Sequence, residues 1–281
     1  MARKEQTVLI TGATRGIGKA AALHLASRGH RVLATGRNEE LLRELEQEAT
    51  TDGLPIQVTR LDVTDLEAVK ATVERAVADF GSLDALVNNA GYSLWGPLEE
   101  LSLDEVRTVF ETNLFSVMAL CQSVLPHMRE RRHGTIVNVG SVAGNVAAPV
   151  EGPYSMTKFA LHSFSRALRM EVARFGVRVV LLEPGVIRTD FQTNKVIGAN
   201  VFGEGSAYLG MSQATALRSK ARELASQGPR NVATRIRQVI ESRNPKPRYT
   251  VGVDARAGAL AKRLFPDRLL DFFVRRSVTG A

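Results

Sequence analysis

Thr7-Val8-Leu9-Ile10 runs directly into Thr11-Gly12-Ala13-Thr14-Arg15-Gly16-Ile17-Gly18, and Lys19 to Ser27 continues with apolar residues at helical spacing. A short apolar, β-branched run predicts a buried strand, the glycine-rich run a loop, and the three-to-four residue repeat a helix. Strand, glycine loop and helix in that order make a cradle for phosphates. Glycine lets the backbone turn tightly and come close to a pyrophosphate, while the start of the helix offers free N–H groups and the positive end of its dipole. The glycines are spaced Gly-x-x-x-Gly-x-Gly.

Outward from this unit the pattern repeats. Strand-like runs at His30–Thr35, Ile56–Leu61, Leu83–Val87, Gly134–Gly140 and Val177–Leu182 alternate with helical patterns at Glu39–Ala49, Leu66–Phe80, Asp104–Met128 and Tyr154–Phe175. Such alternation predicts an α/β fold, a Rossmann-like doubly wound parallel sheet covered on both faces. The stretch from Asp190 to Met211 is glycine-rich and has no clear period, and a connection that long reads as a substrate lid. Beyond it come helical patterns at Ser212–Ala225 and Asn231–Glu241, a strand at Arg248–Val251, and helices at Arg256–Leu264 and Arg268–Val274. Residues 1–281 therefore read as a single domain with an extended helical C-terminal segment covering the substrate: a cofactor-binding and catalytic core at 5–189, lid and helices at 190–247, last strand and basic extension at 248–281.

The second strand ends in Gly36-Arg37, where a dinucleotide fold carries an acid for the adenosine ribose of NAD or an arginine for the 2′-phosphate of NADP. Arg37 stands there, and Arg15 lies in the glycine loop on the same side. Both favour NADP(H) over NAD(H), although either arginine also reads as a surface charge.

The candidate chemistry lies between Ser141 and Lys158. Tyr154 and Lys158, four apart on a helix, share a face. A positive charge near a phenol favours its anion, so Lys158 is expected to lower the Tyr154 pKa and make it a usable general acid and base. Ser141 closes a strand and places a hydroxyl at the carboxyl end of the sheet, where it could polarise a carbonyl.

A serine, tyrosine and lysine in this order and spacing, with the Gly12-Gly16-Gly18 loop and Asn88-Asn89-Ala90-Gly91 at the end of the fourth strand, resemble the short-chain dehydrogenase/reductase family over residues 5–189. The resemblance implies catalytic residues Asn113, Ser141, Tyr154 and Lys158. Hydride would pass from nicotinamide to a carbonyl held by Ser141 and Tyr154, with Tyr154 giving the proton, Lys158 binding the ribose, and Asn113 holding a water behind it. It places Gly12, Thr14, Arg15, Gly16, Ile17, Gly18 and Arg37 on the cofactor's phosphates and ribose, and Asp62 and Val63 beside adenine, although Asp62 also reads as a cap for the next turn. Asn89, Ala90 and Gly91 would meet the nicotinamide side, as would Pro184, Gly185, Val186, Ile187 and Thr189, together with Tyr154 and Lys158. Substrate would meet Ser141, Tyr154, Phe191 in the lid and Trp95; Trp95 reads equally as a cover for the core. The run Asn89–Leu101 together with Arg248–Ala255 resembles the hydroxysteroid and retinol dehydrogenase branch, which implies an apolar alcohol or ketone. Such enzymes are homodimers or homotetramers built on the helix carrying Tyr154.

Composition narrows the classes. With 281 residues and 44% hydrophobic, the chain can bury a large core. One cysteine, Cys121, excludes a disulfide framework, and no spacing of ligands predicts a metal site. No leader pattern and no apolar run of spanning length is seen, which predicts a cytoplasmic protein. The net charge of +8 is concentrated late: residues 213–281 carry 15 Lys/Arg against 5 Asp/Glu. That basic segment could face an acidic carrier protein, as in a ketoreductase of carrier-bound acyl groups, or an anionic membrane through Leu260–Arg276. The expectation is that it packs over the pocket. No nucleic-acid motif is present. A non-catalytic NADP(H)-sensing module is the remaining alternative, and it has no use for the full Asn113, Ser141, Tyr154 and Lys158 set.

Overall fold

The computed structural model describes residues 5–191, 194–224 and 226–280. Strand β1 (Thr7–Ile10) leads into helix α1 (Gly16–Ala26), followed by β2 (Arg31–Gly36), α2 (Glu39–Thr51), β3 (Ile56–Arg60), α3 (Leu66–Phe80) and β4 (Ala85–Asn88). A short β5 (Leu94–Trp95) precedes α4 (Leu103–Phe110), α5 (Ser116–Glu130), β6 (Gly134–Val139), α6 (Gly152–Val172) and β7 (Val177–Pro184). The remainder contains β8 (Val196–Ile197), α7 (Leu209–Leu224), α8 (Arg230–Glu241), β9 (Arg248–Val251), α9 (Val253–Leu264) and α10 (Asp267–Val278).

The main sheet has the order β3-β2-β1-β4-β6-β7-β9, and every pairing is parallel. Val8 and Ile10 face a core shared with α1 and α8, while Leu9 between them faces α3, α5 and α6. Covering both faces is why these strands are apolar without alternation. Strand order reverses between β1 and β4, which opens a crevice at their carboxyl ends.

Caps set the boundaries. Asn38 and Asp65 accept the Leu41 and Ala68 amides at 3.0 Å and start α2 and α3. Ser102 and Glu105 form a capping box that starts α4. Helix α1 begins at Gly16 rather than Lys19, so the glycines at 16 and 18 lie inside its first turn. Ala225, expected to end α7, lies outside the described residues, and α10 runs on to Val278.

The helix expected at Asp104–Met128 is broken by a π-helical turn at Glu111–Phe115. With that turn it spans 28 residues, Leu103–Glu130, which is long and apolar enough by length and composition to cross a membrane, contrary to the sequence expectation. Half of its most apolar window is buried against the sheet and neighbouring helices, as in a core helix. Within the stretch after Asp190 a second, two-stranded sheet forms: β8 pairs in parallel with β5, with Val196 N–H on Ser93 O at 2.8 Å and Gly198 N–H on Trp95 O at 2.9 Å.

Candidate active site

The glycine loop is braced by the end of β4. Thr11 Oγ1 accepts the Asn89 and Ala90 amides, each at 3.1 Å, and Asn89 Nδ2 donates to Thr11 O and Gly12 O at 3.0 Å. Gly12 has φ +64°, and a Cβ there would sit 2.9 Å from Ala90 Cα. Gly18 does not line the cavity: a Cβ there would lie 2.1 Å from Gly12 O, so its work is to let helix and loop touch.

From this loop a cavity of about 660 Å³ runs across the carboxyl ends of the strands. One end is lined by Thr14, Arg15, Arg37, Asp62 and Val63. Arg15 and Arg37 are exposed there, and Arg37 Nη1 lies 3.9 Å from Asp62 Oδ2. Burial works against ionisation of Asp62, but hydrogen bonds from Thr64 N and Oγ1 and the nearby Arg37 and Arg60 hold its pKa below the usual value. Asp62 thus both caps its turn and lines the cavity.

The opposite wall carries Ser141, Tyr154 and Lys158. Pro153 in the first turn of α6 suits a helix start, and Tyr154 follows it. The Ser141 side chain accepts the Ala143 amide at 3.1 Å and stands close enough to the Tyr154 phenol to act on its ionisation. Lys158 Nζ donates to Val139 O at 3.0 Å and lies 5.6 Å from the Tyr154 ring centre. The expected lowering of the Tyr154 pKa by Lys158 is not met. Burial pushes the phenol above its ordinary value; the Ser141 side chain pulls it down and the Glu151 charge adds to the rise. Burial also brings Lys158 down to about 8. Desolvation is the largest cause for both groups.

Asn113 sits in the π-helical turn, buried and outside the cavity lining. Its Oδ1 accepts the Tyr92 amide at 3.0 Å, and Nδ2 donates to Tyr92 O at 2.9 Å and Thr157 Oγ1 at 3.2 Å. Both amide hydrogens are used within the protein. It ties the loop after Gly91 to α6.

The turn Pro184–Thr189 closes over the cavity, with Gly185, Val186, Ile187 and Thr189 all in its wall. A Cβ at Gly16, where φ is +54°, would come within 3.2 Å of Thr189 Cβ. Asp254, in the first turn of α9, accepts the Val186 amide at 2.6 Å, and the sequence pattern gave no hint of it. Ile187 also bridges to Gln227.

At the far end the Phe191 ring lies 5.6 Å from that of Tyr154, and Thr215, Arg218 and Ser219 of α7 complete the wall with Val278 of α10. These α7 and α10 residues, like Glu151, were invisible to motif reading because only tertiary packing brings them there. Trp95 is not in the wall. It is fully buried, donates Nε1–H to Glu151 Oε1 at 3.1 Å, and has Lys195 3.8 Å above its ring. It covers the core and orients Glu151, which does face the cavity.

Beneath Ser141 lies a buried polar cluster. Glu183, fully buried, accepts from Asn145 Nδ2 at 2.7 Å and pairs with Arg248, which also reaches Asn145. His162 Nε2 is 3.4 Å from Glu183, and burial drives its pKa down to about 4.

Residues 6–199 match the family model for the short chain dehydrogenase. The chain belongs to that family. As a short-chain dehydrogenase it is similar over its whole length to several relatives. It is 32% identical to a 3-ketodihydrosphingosine reductase of Bacteroides thetaiotaomicron, covering 96% of this chain and 97% of that protein. A short-chain dehydrogenase from Streptomyces avermitilis matches with a TM-score of 0.83 at 30% identity, over 98% of this chain and 97% of the other. An actinorhodin polyketide ketoreductase solved with NADPH matches with a TM-score of 0.75 at 30% identity, over 89% and 97%. The matches that reach beyond residue 199 include the helical tail, which the family model leaves out.

Proposed function

We propose that this short-chain dehydrogenase is an NADP(H)-dependent reductase of a carbonyl on an apolar, lipid-like substrate. The observation that carries this reading is the convergence of Tyr154, Ser141 and Lys158 on one wall of a cavity that continues into the glycine loop. The residues present fit the cofactor: Gly12 and Gly16 leave room that a side chain would fill, and Arg15 and Arg37 stand where a 2′-phosphate needs cations. When bound, the nicotinamide supplies the hydride.

The chain's own residues orient the carbonyl and handle the proton. The Tyr154 phenol, its pKa raised by burial, stays protonated at neutral pH and is ready to donate to an oxygen that gains charge. Ser141 Oγ adds a second hydrogen bond to that oxygen. Lys158, fixed by Val139 O, has two further N–H donors for the cofactor ribose and holds positive charge beside the phenolate left after transfer. Ile187, Thr189 and Phe191 line the cavity around this point. A protonated tyrosine favours the reductive direction.

The similarity to a 3-ketodihydrosphingosine reductase supports a long-chain ketone before a steroid or retinoid. Subunits are read as pairing through α6, whose outer face exposes Met156, Phe159 and Met170. Cys121 is buried with its thiol pushed up to about 12, an inert form that suits the reducing cytoplasm. The deciding assay is NADPH oxidation against long-chain 3-keto lipids, steroid ketones, retinal and acyl thioesters, with Tyr154→Phe as control. Turnover of the lipid ketones that disappears in the variant supports the reading. Equal rates in both proteins, or tight NADPH binding without turnover of any ketone, would overturn it.

A further inference from the structure

The terminal hairpin α9–α10 departs from the expectation that it packs over the pocket. Only part of it turns inward. Leu270 and Val278 are buried, and Val278 reaches the cavity wall beside Thr215 and Arg218 of α7. Leu269, Phe272 and Phe273, at i, i+3 and i+4, share a different face of α10 and are 39–49% exposed. Phe265, in the bend, joins them, its ring 6.0 Å from that of Phe273, which is 5.6 Å from Phe272. Leu260 and Leu264 on α9 are 56% and 64% exposed. Phe265, Phe272 and Phe273 thus form an aromatic cluster on solvent, in a hairpin that also carries Arg263, Arg268, Arg275 and Arg276, and Lys262 paired with Asp267 at 2.8 Å.

Three kinds of surface could cover such a cluster, and the residues discriminate between them. A second copy of the same hairpin would set like charges opposite one another, since residues 254–276 carry six Lys/Arg against three Asp/Glu. An acidic protein would satisfy the arginines but has no need of three clustered phenylalanines held clear of the core. An anionic bilayer answers both features: aromatic and leucine side chains enter the acyl boundary while lysine and arginine meet the headgroups.

We propose that the α9–α10 hairpin docks this protein reversibly on anionic lipid surfaces through Phe265, Leu269, Phe272 and Phe273. Because α10 also contributes Val278 to the cavity wall, the docked face and the substrate end of the cavity belong to one helix. A lipid ketone then meets the cavity from the bilayer rather than from bulk water. The docking itself stands on the exposed face and its charges and is independent of the catalytic reading.

The test is flotation of the full chain with vesicles of phosphatidylcholine alone and of phosphatidylcholine with phosphatidylglycerol, at low and high salt. Phe272→Ser/Phe273→Ser removes the apolar part and Arg275→Glu/Arg276→Glu the charge; circular dichroism and NADPH binding verify that each variant folds. The expected result is binding to the anionic vesicles only, weakened at least about tenfold by either pair and by high salt. No flotation with anionic vesicles at low salt overturns the proposal. So does flotation that neither pair changes, or a halved mass in light scattering for the phenylalanine pair, which would assign the face to a second copy. Binding needs no turnover, so a failed ketone assay and failed docking are told apart.

Discussion

The Asp254 carboxylate accepts the Val186 amide at 2.6 Å, joining the first turn of the penultimate helix to the turn that covers the cavity. A Cβ at Gly185 would lie 2.1 Å from either carboxylate oxygen, so Gly185 is needed for this approach. Asp254→Ala leaves the Val186 amide without its acceptor and frees the turn. Loss of about 1 kcal/mol, near fivefold, is expected in NADPH affinity by fluorescence titration, with kcat changed less. Asp254→Asn, which keeps an acceptor oxygen, should recover most of it. Equal effects from the two variants would remove the hydrogen bond as the cause.

Tyr154→Phe removes the proposed proton donor and keeps the ring whose centre lies 5.6 Å from that of Phe191. Ketone reduction should fall by at least about a thousandfold, and NADPH binding should stay within a few-fold. Strong residual turnover would place the donor elsewhere.

Lys158, with its pKa brought down to about 8, is an ammonium below that pH and a neutral amine above it. Reduction rates should therefore decline as pH rises through about 8. Lys158→Arg keeps its charge at every accessible pH, so the decline should move upward even where the maximal rate is lower. A wild-type profile that stays flat to pH 10 would show that the charge is not required.

His162 is held neutral, its pKa brought from 6.5 to about 4 mainly by burial. The unfolded chain takes up a proton below 6.5 that the folded chain refuses until about 4. Its contribution to stability is full above 6.5 and is lost as pH falls toward 4, on the order of 3 kcal/mol. In His162→Gln the melting temperature should fall less between pH 7 and 4.5 than in the wild type, after allowance for the lower starting value. Parallel curves would assign the acid sensitivity to other groups.

Arg37→Asp places an acid at the end of β2, where it would receive the adenosine ribose hydroxyls and repel a 2′-phosphate. The preference for NADPH over NADH, measured as the ratio of kcat/KM, should fall by about ten- to a hundredfold. An unchanged ratio would take Arg37 out of the phosphate site and leave Arg15 as the candidate.

The parallel sheet and its order of elements were legible because each strand from Thr7 to Leu182 is a compact apolar run followed by helical periodicity. That Ser141, Tyr154 and Lys158 share a wall was legible from their spacing together with the strand before Ser141 and the family resemblance. What spacing could not show is the balance of forces among them. The four-residue interval correctly brings Lys158 beside Tyr154, yet the depth at which both are buried reverses the expected direction of the tyrosine's shift. Trp95 illustrates another limit: an apolar loop next to a site can face inward or outward, and its bond to Glu151 decides. Asn113 was rightly singled out as unusual in a helix, and the structure adds the π-helical turn that accommodates it. Glu183, His162 and Asp254 carry no local pattern, since their partners lie 21 to 68 residues away.

Strand β9 has a consequence for the order in which the protein is made. It pairs with β7 from Leu181 to Pro184, and both Gly185 and Val186 are tied to residues that follow 250. As the chain leaves the ribosome, the glycine loop, Ser141 and Tyr154 are all present while one edge of β7 is still bare. The turn over the cavity is therefore tied down only once synthesis has passed Asp254 of the 281 residues, and a nascent chain halted before Arg248 lacks both ties.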